Sequence, residues 1–186
     1  MKKEFIIYSD LHIGGPKEIR MPFLFSKNTV FLGDNFEIKN SLRSNLVNIK
    51  RLRKETRKKC LKNGGIYVSG NHSLQNKDLQ FKRGKILFLH GDLIHYGKEG
   101  AEKWRKKKQG KSKTYWYLLK YYKKIVSDDR VNPLEIRYLE GAYSTAIKNN
   151  CNVVLMGHFH KKKLIDIKYK GIRIIIVPRG KTIIRI

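Results

Sequence analysis

Five short apolar runs in this chain each stop at a cluster of Asp, Asn or His, and that recurrence constrains the fold more than any other feature. Residues 5–8 run into Asp10-Leu11-His12, residues 29–32 into Gly33-Asp34, and residues 66–69 into Gly70-Asn71-His72. Residues 85–89 run into His90-Gly91-Asp92, and residues 154–156 into Gly157-His158-Phe159-His160. Short β-branched and aromatic runs bounded by glycine read as buried strands. The carboxyl end of such a strand opens into a loop, which is where an open α/β sheet places its chemistry. The chain therefore reads as α/β, with its polar clusters gathered at one edge.

Taken singly, each cluster is weak. Asp is common in any turn, and Gly-Asp at a strand end reads as a turn more readily than as a ligand. An isolated His-x-His is commonly two loop histidines. Asp10 and His12, two apart on an extended backbone, would point to the same side and reach one cation.

Between the clusters the pattern changes period. From Ser41 to Lys62 a helical stripe of Leu42, Leu46, Ile49, Leu52, Thr56 and Cys60 is flanked by basic residues, and Asn63-Gly64-Gly65 stops it. Asn132-Pro133 opens a further helix, with Leu139, Ala142, Tyr143, Ala146 and Ile147 as its buried face. Residues 164–169, 172–177 and 182–186 read as antiparallel strands completing a second sheet, the first two joined by Lys170-Gly171. The Pro178-Arg179-Gly180 corner reads as a turn, with a place near the polar clusters as the alternative.

Residues 98–124 break the rhythm. They carry eleven Lys or Arg against two Glu, interleaved with Trp104, Tyr115, Trp116, Tyr117, Tyr121 and Tyr122. Leu118, Leu119, Tyr122 and Ile125 lie at helical spacing and are expected to pack on the domain. The remainder reads as a basic, aromatic cap.

Charge narrows the partners. The formal charge is +27, from 42 basic and 15 acidic residues, so nucleic acid, an anionic membrane surface and other phosphorylated molecules all qualify; a merely solvated basic surface is the alternative. Cys60 and Cys151 form no metal or redox motif and read as free, buried thiols. The first apolar run is too short for a signal peptide and no stretch is long enough for a transmembrane segment. The expectation is a cytoplasmic protein, with peripheral attachment to an anionic membrane as the alternative. At 186 residues, one domain is expected, spanning residues 1–186 with the cap inserted at about 94–132.

In their order, the five clusters resemble the motif blocks of the calcineurin-like metallophosphoesterase superfamily, and the resemblance spans Asp10 to His160. It implies a four-layer α/β/β/α sandwich of two mixed sheets with flanking helices. It also implies two divalent metal ions: Asp10, His12 and His160 would hold one, Asn71, His90 and His158 the other, and Asp34 would bridge them. Oxygen and imidazole donors without a thiolate suit Mn²⁺, with Fe, Zn or Ni as alternatives.

The implied reaction is hydrolysis of a phosphodiester or pyrophosphate by a metal-bound hydroxide, with His72 protonating the leaving oxygen or stabilising the phosphoryl charge. Ser73 stands where the family usually has an Asp or Glu to orient that histidine. Glu37 reads as a helix-start or exposed residue, with a supporting place behind the metal ligands as the alternative, Asp92 as an acceptor fixing an imidazole or the loop, and His95 as a surface histidine.

The cap should select the substrate, either single-stranded nucleic acid or a nucleotide, or a nucleotide-linked lipid. The His-Gly-Asp block and basic insertion are similar to those of UDP-diacylglucosamine pyrophosphatases. Their third block, however, reads Gly-Asn-Arg-Asp where this chain keeps His72. A non-catalytic polyanion-binding or scaffolding protein on the same fold, and a phosphomonoesterase, are the competing readings.

Overall fold

Strand side chains alternate, so a strand that is apolar on both faces must lie between two other layers. The first strand, β1 (Glu4–Ser9), sends Phe5 and Ile7 to one side and Tyr8 to the other, all fully buried. A computed structural model of the chain, which describes residues 3–72, 78–106, 109–125 and 131–186, shows what covers each face.

β1 pairs in parallel with β2 (Thr29–Leu32), which pairs in parallel with β3 (Ile66–Val68). On its other side β1 meets β9 (Gly180–Arg185), which is antiparallel, giving the order β3-β2-β1-β9. The second sheet has the order β4-β5-β6-β8-β7. Its centre is the parallel trio β5 (Ile86–Leu89), β6 (Val153–Met156) and β8 (Ile172–Ile176). The edges, β4 (Gln80–Arg83) and β7 (Ile165–Tyr169), are antiparallel.

Three apolar layers hold the molecule together. Phe5, Ile7, Val30 and Leu32 of the first sheet meet Phe88, Leu155 and Ile175 of the second, with the Phe5 and Phe88 rings edge to face at 5.4 Å. On the outer face of the first sheet Tyr8, Phe31 and Tyr67 are covered by Ile49 and Cys60 of α1 (Leu46–Lys62) and by the loop that carries Phe23 and Phe25. On the outer face of the second, Leu87, Val154 and Ile174 are covered by Tyr138, Leu139, Ala142 and Ala146 of α4 (Ile136–Lys148). The expected α/β/β/α layering of two mixed sheets with flanking helices is what these residues build.

Several boundaries differ from the sequence reading. α1 starts at Leu46 after a tight turn over Arg43–Asn45, and Leu42 is extended; Ile49, Thr56 and Cys60 are buried whereas Leu52 is 39% exposed. Asn132 and Pro133 form a turn, with the Asn132 side chain accepting the Leu134 N–H at 3.1 Å, and α4 begins only at Ile136. β4 has no apolar alternation to announce it, because its residues lie at a sheet edge and are mostly exposed. β9 does not join β7 and β8 but crosses to β1. Its alternation buries Ile184 and exposes Ile183, which suits either sheet equally.

Two helices make up the insertion, α2 (Asp92–Arg105) and α3 (Lys113–Ile125). α2 is broken at Gly97, whose φ of 67° and ψ of 174° leave the helical region. On α3, Leu118 and Tyr122, expected to pack inward, are 63% and 56% exposed. The Ile125 side chain lies outside what is described. Among the described residues no helix is long and apolar enough to cross a membrane.

Candidate metal centre

All six histidines of the chain gather where the ends of β1, β2 and β3 in one sheet face those of β5 and β6 in the other. Among the described residues three sets of donor atoms form there, Asp10 with His12 and His160, Asp34 with His90 and His158, and His12 with Glu37 and His72. Within each set the atoms lie within 4.8 Å of one another. In the first, His12 Nε2 faces His160 Nε2 at 3.1 Å and His160 Nε2 lies 3.4 Å from Asp10 Oδ1. In the second, His90 Nε2 is 3.0 Å from Asp34 Oδ2 and 3.3 Å from His158 Nδ1. A 3.9 Å approach of His90 Nε2 to Asp10 Oδ1 joins these two. Asn71 is buried beside them, and among the described residues its Oδ1, like Asp10 Oδ1, has no hydrogen-bond partner.

Backbone conformation, not strand alternation, brings these side chains together. Asp10, His12, Asp34, His158 and His160 all have positive φ, between 37° and 75°. Each such non-glycine residue is strained by about 1–3 kcal/mol, a cost that concentrates at functional sites. Asp10 and His12 thus converge because the chain turns left-handed at both, past the end of β1; the expected period-two geometry does not apply.

The glycines beside the clusters have a packing reason. A Cβ on Gly33 would overlap His90 Nδ1, one on Gly70 would overlap Asp34 Oδ1, and one on Gly157 would overlap Ser9 Oγ.

Charge is sorted within the site. Burial alone would raise the carboxyls of Asp10 and Asp34, but the surrounding histidines, His90 foremost, together outweigh it and hold both well below the usual carboxylate range. Burial would likewise lower His90, yet Asp34 and Asp10 push it up to about 10, so it carries a proton at neutral pH. His12 goes the other way: burial pushes it down to about 4, against the raising effect of Glu37. Burial and the neighbouring His90 charge also hold His158 well below an ordinary histidine.

The site therefore offers two carboxylates, neutral imidazoles with nitrogens facing one another, and two buried oxygens lacking a donor. Buried polar atoms are normally satisfied, and oxygen and imidazole donors without a thiolate are the set a divalent cation satisfies. The residues fit the implied metal. Its binding would displace the His90 proton, because a ligating histidine must be neutral.

Two residues reach this centre against expectation. Glu37 is 1% exposed and lies in the loop after β2, neither helical nor on the surface. Its Oε2 is 2.7 Å from His72 Nδ1 and 3.2 Å from His12 Nδ1, while its Oε1 accepts the Asn40 N–H at 2.8 Å. One carboxylate thus fixes two rings, and the facing histidines hold it well below the usual range although burial alone would raise it.

His95, expected on the surface, is half-buried in the first turn of α2, with its Nδ1 2.7 Å from His158 Nε2 and its ring stacked on Tyr96 at 4.2 Å. Ser73 lies outside the described residues.

The surroundings close the site. Asp92, buried in the first turn of α2, adds its charge to those that raise His90. Arg179 is no plain turn residue, since its Nε donates to the Asp10 carbonyl at 2.8 Å just beyond the paired ends of β1 and β9. Trp104 of α2 stacks over His72 with ring centres 6.5 Å apart and over Tyr96 at 5.5 Å, while Lys39 Nζ sits 3.3 Å from the Trp104 ring centre. Beneath lies a cavity of about 170 Å³, lined by Asp34, Asn71, His72, His95, Tyr96, His158 and His160 among others.

No family model and no curated protein matches the chain. Among solved structures it is similar to a conserved uncharacterised protein of Streptococcus pneumoniae TIGR4 described as a predicted phosphoesterase. The identity is 15% and the TM-score 0.43, over 100% of this chain and 84% of that one. A cold-active protein tyrosine phosphatase is similar at 13% identity and a TM-score of 0.43, over 97% of this chain and 73% of that one. Such scores transfer no activity, so function must be argued from the residues themselves.

Proposed function

We propose that this chain is a dinuclear metal-dependent phosphoric ester hydrolase that cleaves a phosphodiester or pyrophosphate bond, as its resemblance to the calcineurin-like metallophosphoesterases implies. The observation that carries the reading is the pair of donor sets built around Asp10 and Asp34, with two buried oxygens awaiting a partner. Asp10, His12 and His160 would hold one ion and Asn71, His90 and His158 the other, with Asp34 as the ligand the resemblance assigns to both. Two divalent ions, Mn²⁺ in the first instance, supply Lewis-acid polarisation of a phosphoryl oxygen and lower the pKa of water.

The protein's own groups do the rest. Glu37 occupies Nδ1 of His72, which leaves Nε2 to give a proton to the leaving oxygen or a hydrogen bond to the phosphoryl group. His95 and Tyr96 line the cavity beside the proposed ligands, and Trp104 stacks against Tyr96 and His72 at its margin. The +27 field draws in a polyanionic or nucleotide-bearing substrate. The chain acts as one catalytic domain with residues 94–132 as its cap, and its free buried thiols suit the cytoplasm.

The experiment is hydrolysis of bis-p-nitrophenyl phosphate by the purified protein with Mn²⁺, alongside p-nitrophenyl phosphate to separate diester from monoester cleavage. Release of p-nitrophenol from the diester, abolished by a chelator, is the expected result. Failure with Mn²⁺, Fe²⁺, Zn²⁺ and Ni²⁺ alike would discard the enzyme and leave the polyanion-binding reading.

A further inference from the structure

α3 is inside out. An amphipathic helix normally turns its apolar stripe to the core, but here the less exposed side is marked by Trp116, Leu119 and Lys120, three or four residues apart. The opposite side presents Tyr117, Leu118, Tyr121 and Tyr122 at 54%, 63%, 68% and 56% exposure. Tyr117, Leu118 and Tyr121, with Thr114 and Lys113, line a shallow open groove of about 460 Å³. Lys113 borders the groove, and Lys111, just before the helix, lies against the Tyr115 ring with its Nζ 5.2 Å from the ring centre.

We propose that the outward face of α3 docks on an anionic lipid bilayer, with Leu118 and the tyrosines entering the headgroup boundary and the flanking lysines meeting lipid phosphates. Tyrosine suits that depth because its ring is apolar and its hydroxyl polar, and a helix with lysines beside a Leu-and-aromatic face is the composition of an interfacial helix. The protein's +27 charge complements an anionic surface, and 13 residues are enough to lie on a bilayer and too few to span it.

Single-stranded nucleic acid is the weaker occupant. Tyrosines stack bases, but Leu118, among the most exposed of these residues, offers a base no stacking face.

The test is co-sedimentation of the full chain with phosphatidylcholine vesicles, with and without a third of phosphatidylglycerol. Circular dichroism establishes that each variant is folded. Wild type is expected to bind the anionic vesicles and hardly the neutral ones, and Leu118→Gln/Tyr121→Ser is expected to bind them at least about tenfold more weakly. Lys111→Gln/Lys113→Gln is expected to keep apolar docking and to lose part of the salt-sensitive attraction.

Three results would overturn the proposal. They are no vesicle binding by wild type, unchanged binding by the Leu118/Tyr121 variant, or loss in that variant of oligonucleotide binding or self-association instead. Vesicle binding is expected with or without added metal, so its failure leaves the hydrolase reading standing, and failure of that reading leaves this one standing.

Discussion

Asp34→Asn is expected to lower kcat/KM on a phosphodiester by about a thousandfold or more and to cost the protein most of its bound metal. The size follows from the several kcal/mol that metal-assisted charge stabilisation supplies, at about 1.4 kcal/mol per tenfold. Asp34 belongs to the donor set with His90 and His158, lies 3.0 Å from His90 Nε2 through Oδ2, and accepts the His72 N–H at 2.8 Å through Oδ1. Asparagine keeps the shape and that hydrogen bond while removing the charge, so the loss reports on charge rather than on collapse of the loop.

The same substitution has a separate signature in metal-free protein. His90 is raised from 6.5 to about 10 by Asp34 and Asp10 against the effect of burial, so its contribution to stability is complete below the unfolded value of 6.5 and is lost as pH rises through about 10. The urea midpoint of the metal-free wild type should therefore fall over that window. That of Asp34→Asn should fall less, because the carboxylate that raises His90 is gone.

Glu37→Gln is expected to lower kcat about ten- to hundredfold, the usual effect of removing a carboxylate that orients a functional histidine. His72→Ala should cost about a hundredfold or more. Both should retain metal at the Asn71, His90 and His158 set. The readout that separates positioning from simple damage is the leaving group. With p-nitrophenolate, which departs without a proton, the deficit of either variant should shrink, and with an alkoxide leaving group it should be full. An equal loss on both substrates would show that His72 supplies no proton.

The layers of this fold were legible because apolar runs that cannot face water on either side must be sandwiched. What the runs could not reveal was partnership: β9 alternates in a way that fits either sheet, and only its pairing with β1 decides. β4 was invisible because it is short, polar and at an edge.

The site was legible in its donors and not in its supports. Asp10, His12, Asp34, Asn71, His90, His158 and His160 all stand out as polar breaks after apolar runs. Glu37 does not, since it sits in the polar stretch 34–41, which composition assigns to the surface although every residue of it is buried. The one available signal was its spacing of three from Asp34, shared with a helix start. His95 and Trp104 belong to a helix whose packing depends on tertiary contact, and a break at Gly97 interrupts the period that would have aligned them. On α3 the helical period holds, but Leu118 and Tyr122 face outward while Leu119 lies on the less exposed side, because a stripe of Tyr and Leu looks the same in sequence whether it is covered or exposed.

Anomalous diffraction from crystals grown with Mn²⁺ tests the central claim most directly. Two peaks are expected, one among Asp10, His12 and His160, the other among Asn71, His90 and His158, with Asp34 between them. No peak at either set, or one peak confined to the His12, Glu37 and His72 cluster, would contradict a dinuclear hydrolytic centre.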